Sequence, residues 1–377
     1  MSIKMLTKAK RVVIKVGSAL LVDEAQGIVH LKWLKTLAAD VARLKQNGKD
    51  VVLVSSGAIA VGRRYLGLEN GVLKLEDQQA AAATGQIRLA HAYQDVLGHF
   101  DMTVAQMLLT LDDTENRRRF LNARNTLNAI LSRGGVPLIN ENDTVATDEI
   151  RFGDNDRLAA RVAAMSGSDL LVLLSDIDGL YTADPSQDAG AQHLPEIDAI
   201  TPEIEGMAGG SQTAFGSGGM VTKLAAAKIC LMNGCNMVIA KGEGDHPLQN
   251  LENGARASWF KSSITPIKAR KRWIAGALQA TGTLVLDDGA LSALRDGKSL
   301  LPIGIADIQG SFQKGEAVVL MNKSGIEQAR GLSAYSSQDA KKIMGKKSSE
   351  FEAILGYCGR DELIHRDDLV LTKMQNG

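Results

Sequence analysis

Residues 11–57 read RVVIKVGSALLVDEAQGIVHLKWLKTLAADVARLKQNGKDVVLVSSG. Val12, Val13, Ile14 and Val16 make a short unbroken apolar run, the pattern of a strand buried on both faces. Further on, Leu31, Leu34, Leu37, Val41 and Leu44 share one face at helical spacing. They predict a helix over 31–47, with Gly48 placed to cap its C-terminus. Residues 51–54 are apolar again and end in Ser55-Ser56-Gly57. Strand, helix and strand in this order predict a parallel pair bridged by a helical crossover.

The alternation continues outward. Strands are predicted at 104–109, 136–139, 170–174 and 237–240, and helices at 78–99, 117–133, 155–166 and 219–233. This is an α/β pattern, a mainly parallel sheet covered by helices on both faces. Such sheets bind ligands outside the C-terminal ends of their strands. After about residue 260 the character changes. Residues 261–272 carry Lys261, Lys268, Arg270, Lys271 and Arg272 around Pro266 and read as an exposed connector. Beyond it the segments are short and turn-punctuated, at 282–286, 287–289, 301–305 and 315–321, with helices predicted at 339–344 and 348–355. The expected division is a catalytic domain over 1–262, a connector over 263–278 and a small, mostly β domain over 279–377.

Bulk composition narrows the classes. The chain of 377 residues favours two domains, and its formal net charge of zero argues against a globally basic nucleic-acid binder. Three cysteines are too few for a disulfide framework, and no CxxC pair or HExxH suggests a metal. No apolar run is long enough to span a membrane, and no signal peptide is evident, so the expected compartment is the cytoplasm.

Six clusters carry candidate chemistry. Lys15 and Gly17 end the first strand, a cation beside a backbone that an oxyanion can approach closely. Ser55, Ser56 and Gly57 end the next and open a helix, whose free amides and hydroxyls suit an anion; Ser56 also reads as an ordinary N-cap. Asn140, Glu141, Asn142 and Asp143 follow the strand over 136–139, a set able to grip an ammonium and a carboxylate together. Asp154, Asn155 and Asp156 open a helix, more acidic and amide groups than capping requires. Ser175 and Asp176 end the strand over 170–174, where a polar turn suits adenine and ribose; Asp178-Gly179 is also a routine turn. Last, Gly216-Ser217-Gly218-Gly219-Met220-Val221-Thr222-Lys223 opens a helix with glycines that free its amides. Lys223 then stands in a first turn, where a basic residue opposes the helix dipole unless an anion is bound. Neither a Walker P-loop nor a Rossmann fingerprint is present.

Together these clusters describe phosphoryl transfer, which needs positioning and charge neutralisation. Lys15 and Lys223 can neutralise the moving group from two sides. A carboxylate acceptor is ionised at neutral pH and needs no general base, which suits clusters without histidine. Asp156 then orients the lysines.

The motifs VIKVGS, VSSGAIAVG, QMLLT, RFLNARNTL, PLINENDTVAT, FGDNDRLAA, LLSDIDGLYTADP, GSGGMVTKLAAA and KRWIAGAL occur in this order, with AILGY and HRDDLV near the C-terminus. In order and spacing the chain resembles, essentially end to end, the glutamate-phosphorylating branch of the amino acid kinase family, which carries a C-terminal PUA domain. The resemblance implies a three-layer αβα sandwich plus a PUA-like domain. It implies conversion of ATP and L-glutamate to L-glutamyl 5-phosphate and ADP, the first step of proline synthesis, with Mg²⁺ carried by the ATP phosphates rather than by a site on the chain. Carried over by motif, Lys15, Lys223 and Asp156 are catalytic. Ser56, Gly57, Asn140, Asp143, Asp154 and Asn155 bind glutamate. Lys15, Gly17, Ser175, Asp176, Ser217, Gly218, Gly219, Met220, Val221, Thr222 and Lys223 bind ATP. The resemblance also implies a homo-oligomer, dimer or tetramer, inhibition by proline, and coupling to the γ-glutamyl phosphate reductase that acts next. Ser55, Ser175 and Val221 stand where the family often has a threonine or, at the last, a serine or threonine. The rival readings are a kinase for aspartate, N-acetylglutamate or a nucleoside monophosphate, and an RNA-binding protein acting through the PUA-like domain and the basic connector.

Overall fold

A computed structural model describes residues 4–68, 71–145, 155–208, 219–276 and 280–372. The chain divides into two compact units, Met1–Pro266 and Ile267–Gly377.

In the first unit, eight strands among the described residues form one sheet. They are β1 (Arg11–Val16), β2 (Asp50–Val54), β3 (Val104–Leu109), β4 (Val136–Glu141), β5 (Leu170–Ser175), β6 (Glu196–Ile197), β7 (Asn236–Lys241) and β8 (Ala257–Phe260). Their spatial order is β6-β8-β7-β5-β1-β2-β4-β3. Six run parallel; β8 pairs antiparallel with β7, and β6 follows β8. The mainly parallel sheet expected from the sequence is therefore present, with an antiparallel edge.

The helices that matter for the site are α1 (Leu31–Gln46), α2 (Ala58–Tyr65), α3 (Leu75–Gly98), α4 (Arg117–Ser132), α5 (Asn155–Ser166) and α6 (Met220–Met232). The apolar runs of β1 and β5 are continuous because each face is covered. Val12, Ile14, Leu170 and Val172 pack with Leu34, Leu37 and Val41 of α1 and with Leu89 and Tyr93 of α3. Val13, Leu171 and Leu173 point the other way, onto Leu127 of α4, Ala159 and Val162 of α5 and Leu224 of α6. The period-2 alternation of a strand thus feeds two helical layers, which gives the αβα sandwich.

Strand β1 sits between β2 and β5, with Lys15 level with Val54 on one side and Leu173 on the other. The chain builds outward on the β2 side first, then returns to the far side of β1 with β5. That reversal opens a crevice at the carboxyl ends of β1 and β5, where this class of sheet places its ligands.

One helix pair is unusually close. A Cβ on Gly62 of α2 would stand 1.7 Å from the carbonyl oxygen of Ala81 in α3. One on Gly85 would stand 1.8 Å from the carbonyl oxygen of Ala58. The two backbones touch, and only glycine fits at either position.

The segment read as a connector contains a helix, Pro266–Gly276. The second unit holds a five-stranded sheet made of β9 (Gly282–Leu286), β10 (Ile305–Gly310), β11 (Ala317–Met321), β12 (Glu327–Leu332) and β13 (Leu369–Leu371), in the order β10-β9-β11-β12-β13. Its own core includes Leu284, Leu286, Ile308, Phe312, Val318 and Leu320. Two local readings change here. Asp287 does not make a turn: its carboxylate accepts from the Ala290 amide at 2.7 Å and caps the helix Asp288–Arg295. The strand expected over 301–305 is displaced, because Pro302–Gly304 makes a 3₁₀ turn and the strand starts at Ile305.

Candidate active site

A cavity of about 910 Å³ opens at the carboxyl edge of the large sheet. Lys15 and Gly17 reach it from β1, Ser56 and Gly57 from β2, Asn140 and Asp143 from β4, Ser175 and Asp176 from β5, and Asn155, Gly219, Met220 and Lys223 from the starts of α5 and α6. Most of the residues singled out by the sequence are thus in one place. Parallel strands explain this: each delivers its terminal residue to the same edge.

Behind the wall, not lining the cavity itself, is Asp156, 0% exposed in the first turn of α5. Its Oδ1 meets the Lys15 ammonium at 2.8 Å, and its Oδ2 meets the Lys223 ammonium at 3.2 Å. The Thr222 hydroxyl donates to the same Oδ2 at 3.0 Å and lies 2.8 Å from the Gly219 carbonyl oxygen. Lys15 and Lys223 are 8% and 5% exposed. Burial alone would raise the Asp156 carboxyl, but the two ammonium groups outweigh it and hold the group below its usual range. Asp156 thus holds two ammonium groups side by side where Lys15 and Lys223 line the cavity. Two adjacent ammonium groups favour an anionic ligand there. The N-terminus of α6 adds to that preference, because Gly219 brings no side chain to cap the first amides.

The other end of the cavity is polar. The Asn155 amide donates to the Ser55 carbonyl oxygen at 2.9 Å and to the Ser56 hydroxyl at 2.8 Å, and approaches Asn140 Oδ1 at 3.4 Å. It ties the ends of β2 and β4 to the start of α5. Gly57 adopts φ 93° as α2 begins, and a Cβ there would fall 2.9 Å from Val22 Cγ2. A side chain at this position is opposed by both the backbone conformation and the contact. Asp143 is nearly buried, and burial pushes its carboxyl up to about 6 despite hydrogen bonds from Gln86 and its own amide. The Ser175 hydroxyl donates to Asp176 Oδ1 at 2.7 Å.

Not every expected residue is placed alike. Asp154, Ser217 and Gly218 lie outside the described residues. Val221 is 59% exposed and does not line the cavity; Thr222 touches Asp156 instead of the cavity wall. Lys241, at the end of β7, lines the cavity and pairs with Glu243 at 2.9 Å. Sequence reading passed over it because a lysine closing a strand is common on any surface. Gln86 was also missed. Its signal was a polar residue on the buried face of α3, between Ala82 and Leu89.

Among the described residues no helix is long and apolar enough to cross a membrane, and no group of three or more His, Cys, Asp or Glu side chains is placed to hold a metal ion.

Comparison with known proteins bears on this site. The description "Amino acid kinase family" matches residues 10–241, and "PUA domain" matches residues 282–355. The glutamate 5-kinase of Paramagnetospirillum magneticum is 62% identical over 366 residues, 97% of this chain and 99% of that protein. The glutamate 5-kinase of Rhodospirillum rubrum is 58% identical over 358 residues, 95% of this chain and 96% of that one. Among solved structures, UMP kinase from Ureaplasma parvum aligns with a TM-score of 0.47 at 17% identity, covering 68% of this chain and 100% of that one. The chain belongs to the amino acid kinase family, within the glutamate 5-kinases, and ends in a PUA domain.

Proposed function

We propose that this protein transfers the γ-phosphoryl group of ATP to the γ-carboxylate of L-glutamate, giving L-glutamyl 5-phosphate and ADP, the first step of proline synthesis. The observation that carries this reading is the buried Asp156 holding Lys15 and Lys223, which line the cavity, on its two oxygens. In the reaction a γ-carboxylate oxygen attacks the γ-phosphorus, and the bond from that phosphorus to the β–γ bridging oxygen breaks. Charge moves from the acceptor to the leaving ADP, and an ammonium group on each side of the path lowers the barrier. The acceptor carboxyl has a pKa of about 4 and arrives ionised. Asp156 therefore serves as the anchor of both lysines and takes no proton.

The remaining roles follow from position. Gly17, Ser175, Asp176 and the start of α6, including Gly219 and Met220, take the nucleotide; Ser217 and Gly218 belong to the same glycine-rich approach. Ser56, Gly57, Asn140, Asp143 and Asn155, with Asp154, take glutamate. Asp143 is a nearly buried carboxylate whose side-chain donor among the described residues is a neutral amide. Such a group wants a cation, and the substrate's α-ammonium supplies it. Magnesium fits on the nucleotide: the carboxylate nearest the lysines is already doubly paired, so the ion would be held by phosphate oxygens and would offset their charge.

Three wider readings belong to the same proposal. Free thiols at Cys230, Cys235 and Cys358 support a reducing, cytoplasmic setting. A homo-oligomer, dimer or tetramer, is carried over from the family resemblance. The product is a hydrolysable mixed anhydride, which supports hand-over to γ-glutamyl phosphate reductase.

The direct test mixes protein, ATP, Mg²⁺, hydroxylamine and either glutamate or aspartate, and measures acyl hydroxamate. Glutamate-dependent product is expected. No product with glutamate sinks the proposal, and a preference for aspartate redirects it.

Asp143 gives a second test. Its ionised form is the one that binds an ammonium, and its folded pKa lies near 6. The glutamate KM should therefore fall about tenfold as pH rises from about 5 to about 7. The ligand-free fold behaves oppositely. A carboxyl with a raised folded pKa stabilises it fully below about pH 4, and that contribution is lost as pH rises through about 6. Asp143→Asn should flatten the KM profile; an acid limb that survives this substitution excludes Asp143 as its origin.

A further inference from the structure

We infer that Gln86, a residue of the long helix α3, positions Asp143 for the acceptor amino group and thereby sets the affinity for glutamate. The inference rests on the reading above, in which Asp143 meets that ammonium.

Gln86 is 5% exposed and sends its side-chain amide into the end of β4. Its Nε2 donates to the Glu141 carbonyl oxygen at 2.7 Å and to Asp143 Oδ2 at 3.3 Å. One planar group therefore spans the last residue of the strand and the carboxylate two residues later. The main-chain bond fixes where the amide sits. The second bond then fixes which way the carboxylate points. A carboxylate on a loop just past a strand end otherwise rotates freely about χ1 and χ2, and that freedom opposes a directed contact to substrate.

The depth of Gln86 is itself built in. The neighbouring Gly85 is the point where α3 touches the backbone of α2 at Ala58, beside the start of the glutamate end of the cavity. Any side chain at residue 85 lifts α3 away from α2, and the Gln86 amide with it. A glutamine on the buried face of a helix needs partners for its polar atoms, and here the donor side is turned to the site.

Gln86 does not enter the cavity wall, so it acts through Asp143. The test is steady-state kinetics on the full chain at saturating ATP, read as glutamate KM against kcat. Gln86→Leu, similar in volume but without the amide, should raise the glutamate KM about tenfold, the size expected for losing a hydrogen bond to a charged group. Both kcat and the KM for ATP should stay within about twofold, since the loss is in acceptor binding. Asp143→Asn should also raise the glutamate KM. In that background Gln86→Leu should add less than about twofold, because the two residues act as one unit.

If Gln86→Leu leaves the glutamate KM unchanged while Asp143→Asn raises it, the inference is overturned and the role of Asp143 stands. Additive effects in the double variant overturn it as well, since Gln86 then acts through Glu141 or the helix seat alone. If Asp143→Asn leaves the glutamate KM unchanged, the assignment of Asp143 fails, and with it the role of Gln86. Should Gln86→Leu not fold, Gln86→Glu replaces it. That change keeps the shape and, at about pH 8, sets a second carboxylate against Asp143. The glutamate KM should again rise, and an unchanged value overturns the inference.

Discussion

Lys223→Ala should lower glutamate-dependent turnover by about a thousandfold while the protein stays folded. The two halves of this expectation have separate causes. The Lys223 ammonium is 3.2 Å from a fully buried carboxylate and faces the cavity, so its charge acts in a region with little water to screen it. A charge aimed at the moving phosphoryl group is worth most at the transition state, and kcat should fall far more than the KM values rise. The fold should survive because Asp156 keeps Lys15 at 2.8 Å. The buried Asp156 carboxylate is therefore not left without a cation when Lys223 is removed. Hydroxamate formation gives the rate, and thermal unfolding by circular dichroism gives the control. A folded variant that keeps more than about a tenth of the parent kcat would show that Lys223 is not part of the transfer machinery.

Gly85→Ala should cost about 3–5 kcal/mol of stability and should carry activity down with it. Ordinary overpacking is relieved by rotating a side chain, which is why it costs only about 1–3 kcal/mol. Here the offending atom is the Cβ itself, 1.8 Å from a main-chain oxygen, and no rotamer moves it. The helices must separate. Because α2 begins at Ala58, directly after Ser56 and Gly57, separation displaces the acceptor end of the cavity. Urea unfolding of Gly85→Ala beside Gly98→Ala makes the comparison. Gly98 ends the same helix with open space around it, so alanine there should be neutral or stabilising by up to about 1 kcal/mol. Equal midpoints for the two variants would rule out the backbone contact as a stability determinant.

Sequence reading found what the chain writes locally. The unbroken apolar runs of Arg11–Val16 and Leu170–Ser175 identify strands covered on both faces, and helical spacing identifies α1. Lys15, Ser56, Asn140, Asn155 and Asp156 were legible as chemistry because each interrupts an apolar strand or opens a helix. The short β8 was not. Ala257–Phe260 is four residues long, too short to show a period, and its antiparallel direction is set by pairing with β7. Asp287-Asp288-Gly289 reads locally as a turn, and it is instead the start of a helix whose Leu291 and Leu294 pack into the core. Gln86 stayed hidden because its meaning depends on Asp143, a partner on another element. Nothing local marks Gly62 or Gly85; what requires glycine there is the carbonyl oxygen across the seam.

The middle position of β1 has a consequence for how the protein is made. This strand leaves the ribosome early, and β2 follows soon after to cover one edge. The other edge waits for Leu170–Ser175, and until then it presents unpaired amides and carbonyls flanked by Val12, Val13 and Ile14. A nascent chain with a long-lived bare edge is exposed to mispairing with its neighbours. Lys15 lies on that strand, and its partner Asp156 and the covering strand β5 come from the same later stretch of chain. Closing the sheet and neutralising that buried lysine are thus one late event in synthesis.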